Sequence, residues 1–443
     1  MFKIAIRWAL SLVWLFSFTV AAQAPKTVTF RDLDPGEFSQ YLKTVLGEAY
    51  AKLGTQIRYL DLPRPRGLRL AVEGELDGEI ARVPSLAFDY PTLMPVPFPL
   101  YDFSVVLVGD RRKCGECRIE DVDNLAYTQG MVVMPKVIEK HNFKGPVVTP
   151  ADITQVLNLL LAERIDAALM TNFQLQNIDL SRHPHLVVRQ LMIEQGYHYL
   201  NEKHRDWLPR LTRELQKMQE RGRITELQQK YGIKTLHQYQ PFEHIGSLKI
   251  VAATRAGRTE ANGKGRYWQT LHELFDPIAD NVDTEASNWH RAQQLLAEGR
   301  ADAMVTMWNK TIPENTLYSA SHIDYGEPLY LFATDNQTIA DIQNGDADKP
   351  VCISTDRDMR QWVPHNVEIY STEKSLDCFA MLDLGRVSGV LDYRSALPDW
   401  TEKPYARKQV REGWPVLLLF QNNERGRRLK ATFEQRWEQT REQ

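Results

Sequence analysis

The chain has 443 residues, with 54 Lys and Arg against 57 Asp and Glu and a formal charge of −3. Charge this balanced and this evenly spread offers no clustered basic face, which excludes the usual nucleic-acid binder. An apolar content of 43% is that of a globular protein with chain enough for several cores, and at roughly 150 residues per domain the length alone predicts about three domains.

The N-terminus reads as a secretory signal. Lys3 and Arg7 form a basic start, Trp8 to Val20 is an uncharged and largely apolar run, and Ala21, Ala22 and Ala24 supply the small residues of a cleavage site. The run is short for a membrane span, which needs about 20 residues. Cleavage is expected after Ala22, because a cut after Ala24 would meet Pro25; losing Lys3 and Arg7 takes the formal charge from −3 to −5. No cysteine follows the cut, so no lipid anchor is expected. No later apolar run is long enough to span a bilayer, so the mature chain is expected to be periplasmic, without stable membrane insertion.

From there strands and helices alternate. Val28 to Phe30 is a short β-type run. Phe38 to Leu53 has helical spacing (Tyr41, Leu42, Val45, Leu46, Ala49) and stops at Gly54. Ile57 to Leu62 is the next strand, a helix covers 66–73, and Glu79 to Val83 is the third strand. This β-α-β-α-β order predicts a parallel sheet with right-handed crossovers. Ile153, Val156, Leu157, Leu160 and Leu161 form a helical stripe, after which Glu163-Arg164-Ile165-Asp166-Ala167-Ala168-Leu169 enters a strand. A helix is expected over Leu208–Lys230. The second half repeats the order: Leu248–Thr254, a helix at Tyr267–Phe275, Asn281–Glu285, a helix at His290–Ala297, then Ala303–Met307. Leu376, Phe379, Ala380 and Leu384 form its later stripe, Gly385-Arg386-Val387-Ser388-Gly389-Val390-Leu391 then enters a strand, and Gly426 to Glu442 is its last helix.

The repetition extends to short phrases. Glu73-Gly74-Glu75-Leu76-Asp77 matches Glu298-Gly299-Arg300-Ala301-Asp302 at an offset of 225. Pro99-Leu100-Tyr101 matches Pro328-Leu329-Tyr330 at 229, and Gln195-Gly196-Tyr197 matches Glu412-Gly413-Trp414 at 217. Matches in one order with drifting offsets indicate duplication, and the period is far too long for a solenoid. Four α/β units of about 100 residues, in two pairs, follow from the repeated helix-to-strand signature. The expected organisation is a signal peptide (1–22), a first domain (25–232), a linker (233–246) and a second domain (247–443). Asp77, Asp166 and Asp302 are expected to anchor strand starts.

Four cysteines fit an oxidising compartment. Cys114 and Cys117 are close enough to pair in a turn, and Cys352 and Cys378 could staple a strand to a helix. Redox or zinc chemistry at Cys114-x-x-Cys117 is the competing reading, since Arg111, Arg112 and Lys113 would lower a thiol pKa. No second ligand pair stands at finger-like spacing, and no metal or cofactor is expected.

The phrase Val72 to Gly78, the strand Pro99 to Leu107, the phrase Leu161 to Ala167 and the helix ending Gly222-Arg223-Ile224 together resemble the type 2 periplasmic solute-binding proteins, the amino-acid-binding group in particular. The resemblance covers nearly the whole mature chain and implies an α/β fold of two tandem bilobed domains, each lobe a mainly parallel sheet flanked by helices. It also implies a mechanism in which two lobes close on a small solute and the bound form meets a membrane permease or a sensor. The sequence departs from the group at its ligand clamp. The Thr-x-x-Arg element is replaced by Val83-Pro84-Ser85-Leu86, and the acid that holds a ligand ammonium falls near Thr171, with Asp392 near that position in the second half.

Clefts in such lobes lie at the carboxyl ends of strands. Arg31 and Arg255 follow the first strand of each half, where a guanidinium could fork onto a carboxylate or simply face solvent. Arg82 ends the third strand and could anchor a ligand or form an internal salt bridge. Trp308 stands near the equivalent place. Tyr101 and Tyr330 end their triplets where strands cross between lobes, and Trp289, Thr171, Asp392 and Tyr393 complete the candidate contacts; for the aromatics, core or hinge packing is the alternative. Neither a Gly-x-Ser-x-Gly elbow nor a His-Glu-x-x-His pair is present, so no enzyme is expected. Two functions remain: a binding protein for a small polar solute, and a ligand-free scaffold that keeps the fold for protein contacts.

Overall fold

The computed structural model describes residues 27–84, 86–176, 178–233, 239–307, 315–354, 359–398 and 404–442. The expected signal peptide, Trp308 and part of the expected linker lie outside them. Two tandem bilobed α/β domains follow one another along the chain. In the first lobe of the first domain, Thr27–Arg31 and Gln56–Leu60 pair in parallel. The helix between them, Glu37–Lys52, buries Tyr41, Leu42, Val45, Leu46 and Ala49, the stripe seen in the sequence. Tyr41 sends its hydroxyl to the Leu100 carbonyl at 2.7 Å, tying that helix to the strand beneath.

Two long antiparallel strands, Leu93–Asp110 and Leu186–Asn201, serve both lobes of this domain. Their pairing shifts register around Pro99 and Tyr101, and proline cannot donate to a ladder, so the triplet sits where the strands bend from one lobe into the next. On the near side Gly78–Arg82 joins them; on the far side Ala167–Thr171, Leu125–Ala126 and Val147–Val148 extend the sheet. The second domain separates its lobes more fully. Its first sheet runs Ala279–Ser287, Ile245–Ala253, Ala303–Met307, Pro415–Gln421, Thr316–Tyr318. Its second runs Ile369–Thr372, Val351–Ser354, Gly389–Tyr393, Leu329–Ala333, Ala406–Arg411. Parallel pairing belongs to the strands that alternate with helices, and antiparallel pairing to those that cross or return between lobes.

The repeated phrases have physical explanations. A Cβ on Gly196 would lie 2.0 Å from Tyr101 Cζ, and one on Gly413 would lie 2.0 Å from the Gly326 carbonyl oxygen. Both glycines therefore let the second crossing segment pass close against the first. Asp77 accepts from the Thr29 N–H at 2.6 Å, and Asp302 accepts from the Lys249 N–H at 3.0 Å. Each aspartate thus pins the loop before its strand to the first strand of its lobe. The helix expected over Leu208–Lys230 is two helices, Leu208–Glu220 and Arg223–Lys230, because Gly222 takes a left-handed φ of 69° between them. Disulfides join Cys114 to Cys117 and Cys352 to Cys378, the second tying the strand Val351–Ser354 to the helix Ser375–Asp383. Among the described residues no helix is long and apolar enough to cross a membrane.

Asp77 carries a first testable consequence. Burial pushes its carboxyl up, but hydrogen bonds from His204, Lys203 and the Thr29 N–H outweigh this and hold it at about 2, against the ordinary 3.8. Its folded-state value is depressed, so its contribution is fully present above pH 4 and is lost as pH falls toward 2. Asp77→Ala is expected to cost about 2 kcal/mol at neutral pH, read by urea unfolding. An unchanged midpoint would show that the anchor is dispensable.

Candidate functional site

Two strand ends and a helix start converge between the lobes of the first domain. Arg31 closes the first strand, Arg82 closes Gly78–Arg82, and Arg64 opens the helix Arg64–Val72. Together with Asp34, Phe38, Tyr101, Phe103, Met131, Ile153, Thr171, Phe173 and Gln174 they line a cavity of about 400 Å³. Arg31 and Arg82 are only 6% and 8% exposed. The lobes touch across the mouth. Phe38 from the first lobe stacks on Phe173 from the second, with ring centres 3.9 Å apart and planes 11° apart. Tyr101 stands edge-on to both, at 4.7 and 5.7 Å. Arg64 Nη1 reaches Met131 Sδ from the opposite lobe.

The charges at this cavity are imperfectly paired. Arg82 Nη2 lies 2.9 Å from Glu79 Oε2, but Arg82 Nε and Nη2 and Glu79 Oε1 make no hydrogen bond among the described residues. The two are thus close in charge without the alignment of a hydrogen bond. Arg31 is 3.9 Å from Asp34, whose other partner is Arg64. Burial, then the positive charges of Arg82 and Arg64, push the Arg31 guanidinium down to about 10, with Glu79 and Asp34 compensating only in part.

Four of the ten residues named from sequence meet in this cavity: Arg31, Arg82, Tyr101 and Thr171. Thr171 has a structural duty as well, since it caps the short helix Asn172–Leu175 by accepting from Gln174 N at 3.2 Å. Arg82 likewise combines the ligand-facing and salt-bridge readings. Arg64, Phe38 and Phe173 were not named. Arg64 follows the second strand, and Phe173 follows the strand Ala167–Thr171, so the rule that pointed to Arg31 would have found both.

At the matching strand ends of the second domain the described residues of its first lobe enclose far less space. Arg255 and Trp289 line a void of only about 20 Å³, with Arg258, Thr259, Tyr267 and Met307. Such a volume holds about one water. Arg258 bridges to Glu327 at 3.2 Å, and Glu327 accepts from the Ser395 N–H at 3.1 Å, fastening one lobe to the other. Tyr393 lies beneath Arg255, 6.0 Å from guanidinium carbon to ring centre. Asp392 is buried and accepts from the Tyr393 N–H at 2.7 Å. Tyr330, opposite Asp392 in the sheet, packs beside Phe332 and lies away from the void. Arg411, also unnamed from sequence, is wedged between Trp362 and Trp414 at 5.8 and 5.0 Å. Among the described residues no group of His, Cys, Asp and Glu could hold a metal ion.

Each domain also grips the hinge of the other. Gln195, on the second crossing strand of the first domain, accepts from the Tyr318 N–H at 2.9 Å and donates to the Tyr318 carbonyl at 3.1 Å. Asn422 donates to the Ile193 carbonyl at 2.6 Å, and Lys430 lies 3.7 Å from Asp102. In return the helix Leu208–Glu220 presents Arg213 to Glu412 at 2.7 Å and Gln216 to the Tyr325 hydroxyl at 2.7 Å. Glu412 and Tyr325 flank the crossing of the second domain.

No family model matches the chain, and no curated protein matches it. Among solved structures, a mutant of ArgBP from T. maritima is similar at 17% identity and a TM-score of 0.40, over 47% of this chain and 96% of that one. An amino acid ABC transporter substrate-binding protein from Streptococcus pneumoniae, bound to L-arginine, is similar at 12% identity and a TM-score of 0.38, over 47% of this chain and 97% of that one. The B. pertussis BvgS periplasmic domain is similar over 92% of this chain and 88% of that one, at 12% identity and a TM-score of 0.37. Scores and identities this low transfer neither a ligand nor a partner to the chain.

Proposed function

We propose that the chain is a periplasmic solute receptor in which only the first domain binds. Its two lobes close on one small solute, and no catalytic step follows. The second domain keeps the bilobed fold as a scaffold, gripping the first hinge and passing its closure to a membrane sensor or permease. One observation carries this reading: at the matching strand ends of the two halves, the described residues of the first enclose about 400 Å³ lined by three arginines and by both lobes, and those of the second about 20 Å³ within one lobe. Small-molecule sites usually occupy about 300–1,000 Å³. The reciprocal hinge contacts favour a sensing role over simple carriage, because a change at residues 193–195 is felt directly by the strand Thr316–Tyr318.

Thermal unfolding of the full chain against amino acids, organic acids, peptides and polyamines tests the proposal. A solute at about 100 times its Kd adds about 2.7 kcal/mol, worth roughly 5–10 °C for a domain of about 200 residues. The shift should vanish in Phe173→Asp, which places a charge in the first cleft. It should survive Trp289→Ala, which opens the second. If no solute moves the transition, the receptor reading fails and a scaffold role for both domains replaces it.

A further inference from the structure

The two walls of the first cleft differ in chemistry. The first lobe contributes Arg31, Arg64 and Arg82; the second contributes mainly Met131, Val132, Val133, Ile153 and Phe173. On the charged wall Asp34 is shared between Arg31 and Arg64, and Glu79 stands behind Arg82. Arg31 and Arg82 are buried against the single buried carboxylate of Glu79, whereas Asp34 is 52% exposed, so the buried part of the wall carries one positive charge over. The remaining lining acid, Glu37, is exposed at the start of its helix. Nε of both Arg31 and Arg82 lacks a hydrogen-bond partner among the described residues. An anion on this wall would supply the missing charge and the missing acceptors together.

We infer that the solute of this cleft is a small monocarboxylate carried on a flat apolar body, such as an aromatic acid. The inference rests on the reading of the first cleft as the solute site. One surplus charge matches one carboxylate; a dianion would leave one negative charge buried and unpaired. An amino acid would need a free acid for its ammonium, and Asp34 is already held by two arginines while Glu37 stands at the mouth. The body of the ligand meets Phe38, Tyr101, Phe103 and Phe173, whose faces and edges suit a ring. A ligand must touch both walls to favour the closed lobes, so a carboxylate without an apolar body would bind one lobe and leave closure unassisted.

The test uses the full chain with benzoate and 3-phenylpropanoate, set against benzamide, benzylamine, L-phenylalanine and succinate, by calorimetric titration and thermal shift. One of the two aromatic acids should bind, with benzamide at least about 10-fold weaker, as expected for losing charge-assisted hydrogen bonds. Arg64→Gln, at a partly exposed position, should weaken the acid about 10- to 100-fold with the unliganded melting temperature unchanged. Arg31→Gln should weaken the acid by a similar factor from the buried side. Benzamide equalling benzoate, L-phenylalanine or succinate exceeding both acids, or undiminished affinity in both arginine variants would overturn the inference. Silence from both acids would overturn it too. A solute of another class, whose shift is lost in Phe173→Asp, would then leave the cleft standing as the site. No shift from any solute would remove site and class together.

Discussion

Arg31→Met should raise the melting temperature of the unliganded protein while abolishing solute binding. The side chain is 6% exposed, and its carboxylate partner Asp34 is half-exposed and 3.9 Å away. Burial, followed by repulsion from Arg82 and Arg64, takes its guanidinium from 12.5 down to about 10. That drop corresponds to about 3 kcal/mol by which the folded state disfavours the charged form. Arginine remains charged at neutral pH in both states, so the protein carries this cost whenever the cleft is empty. Methionine removes the charge and keeps an unbranched apolar stem of similar reach. A gain of about 1–3 kcal/mol is expected in urea unfolding, with binding lost in the same variant. Arg82→Met, in the same cavity, should behave in the opposite way. It strips Glu79, 3% exposed, of the cation 2.9 Å away, and breaking a buried pair costs about 3–5 kcal/mol. If Arg31→Met instead lowers unliganded stability by more than about 1 kcal/mol, the guanidinium is a net structural group. The charge imbalance assigned to the cleft would then lose its main support.

The contrast between these two arginines marks how far the sequence could be read. Strand ends and helix stripes repeat with regular spacing, so the alternation around Val28, Leu46, Ile250 and Leu271 was legible, and so was the duplication. The phrase carrying Asp77 and Asp302 was legible as structure because its task, capturing one neighbouring N–H, is local and is performed twice. The division of the last helix of the first domain was less visible, since Gly222 also suits a helix end. What decides function is not periodic. Arg31 and Arg255 occupy matching positions, yet one lines a cavity of about 400 Å³ and the other a void of about 20 Å³, where it stands over Tyr393. Beside Arg255 stand Arg258 and Met307, with Glu327 paired to Arg258, residues far apart in sequence whose meeting only the folded chain reveals. Gln195 belongs to a repeated triplet, but its partner Tyr318 lies in the other domain, and no local pattern encodes that contact.

The second large effect is on acid stability. The protein should lose about 3 kcal/mol between pH 6.5 and 4, and His198→Gln should flatten that slope. His198 is fully buried on the second crossing strand, against the core of the first lobe. Its Nδ1–H donates to the Ile80 carbonyl at 3.2 Å, because a carbonyl can only accept, so Nε2 accepts from the Tyr50 hydroxyl at 2.7 Å. Phe30 closes the site edge-on at 5.1 Å. A neutral imidazole satisfies every neighbour, whereas a proton on Nε2 would oppose the Tyr50 donor. Burial accordingly pushes the group from 6.5 down to about 4, with the carbonyl contacts resisting only in part. The unfolded chain takes up its proton near 6.5 and the folded one does not. Stability is therefore complete above that value, falls as pH drops toward 4, and then levels off, the drop corresponding to about 3 kcal/mol. The Asp77 contribution begins to fail only below this window, so the two can be separated by pH. Glutamine at 198 can donate to Ile80 and accept from Tyr50 without titrating. Its unfolding midpoint should stay nearly constant from pH 6.5 to 4 while the parent falls by roughly 6–12 °C. A variant that follows the parent curve would place the acid-labile group elsewhere. Because Ile80 shares its strand with Arg82, loosening here is expected to reach the arginine wall first, and solute affinity should decline over the same interval in the parent and not in His198→Gln.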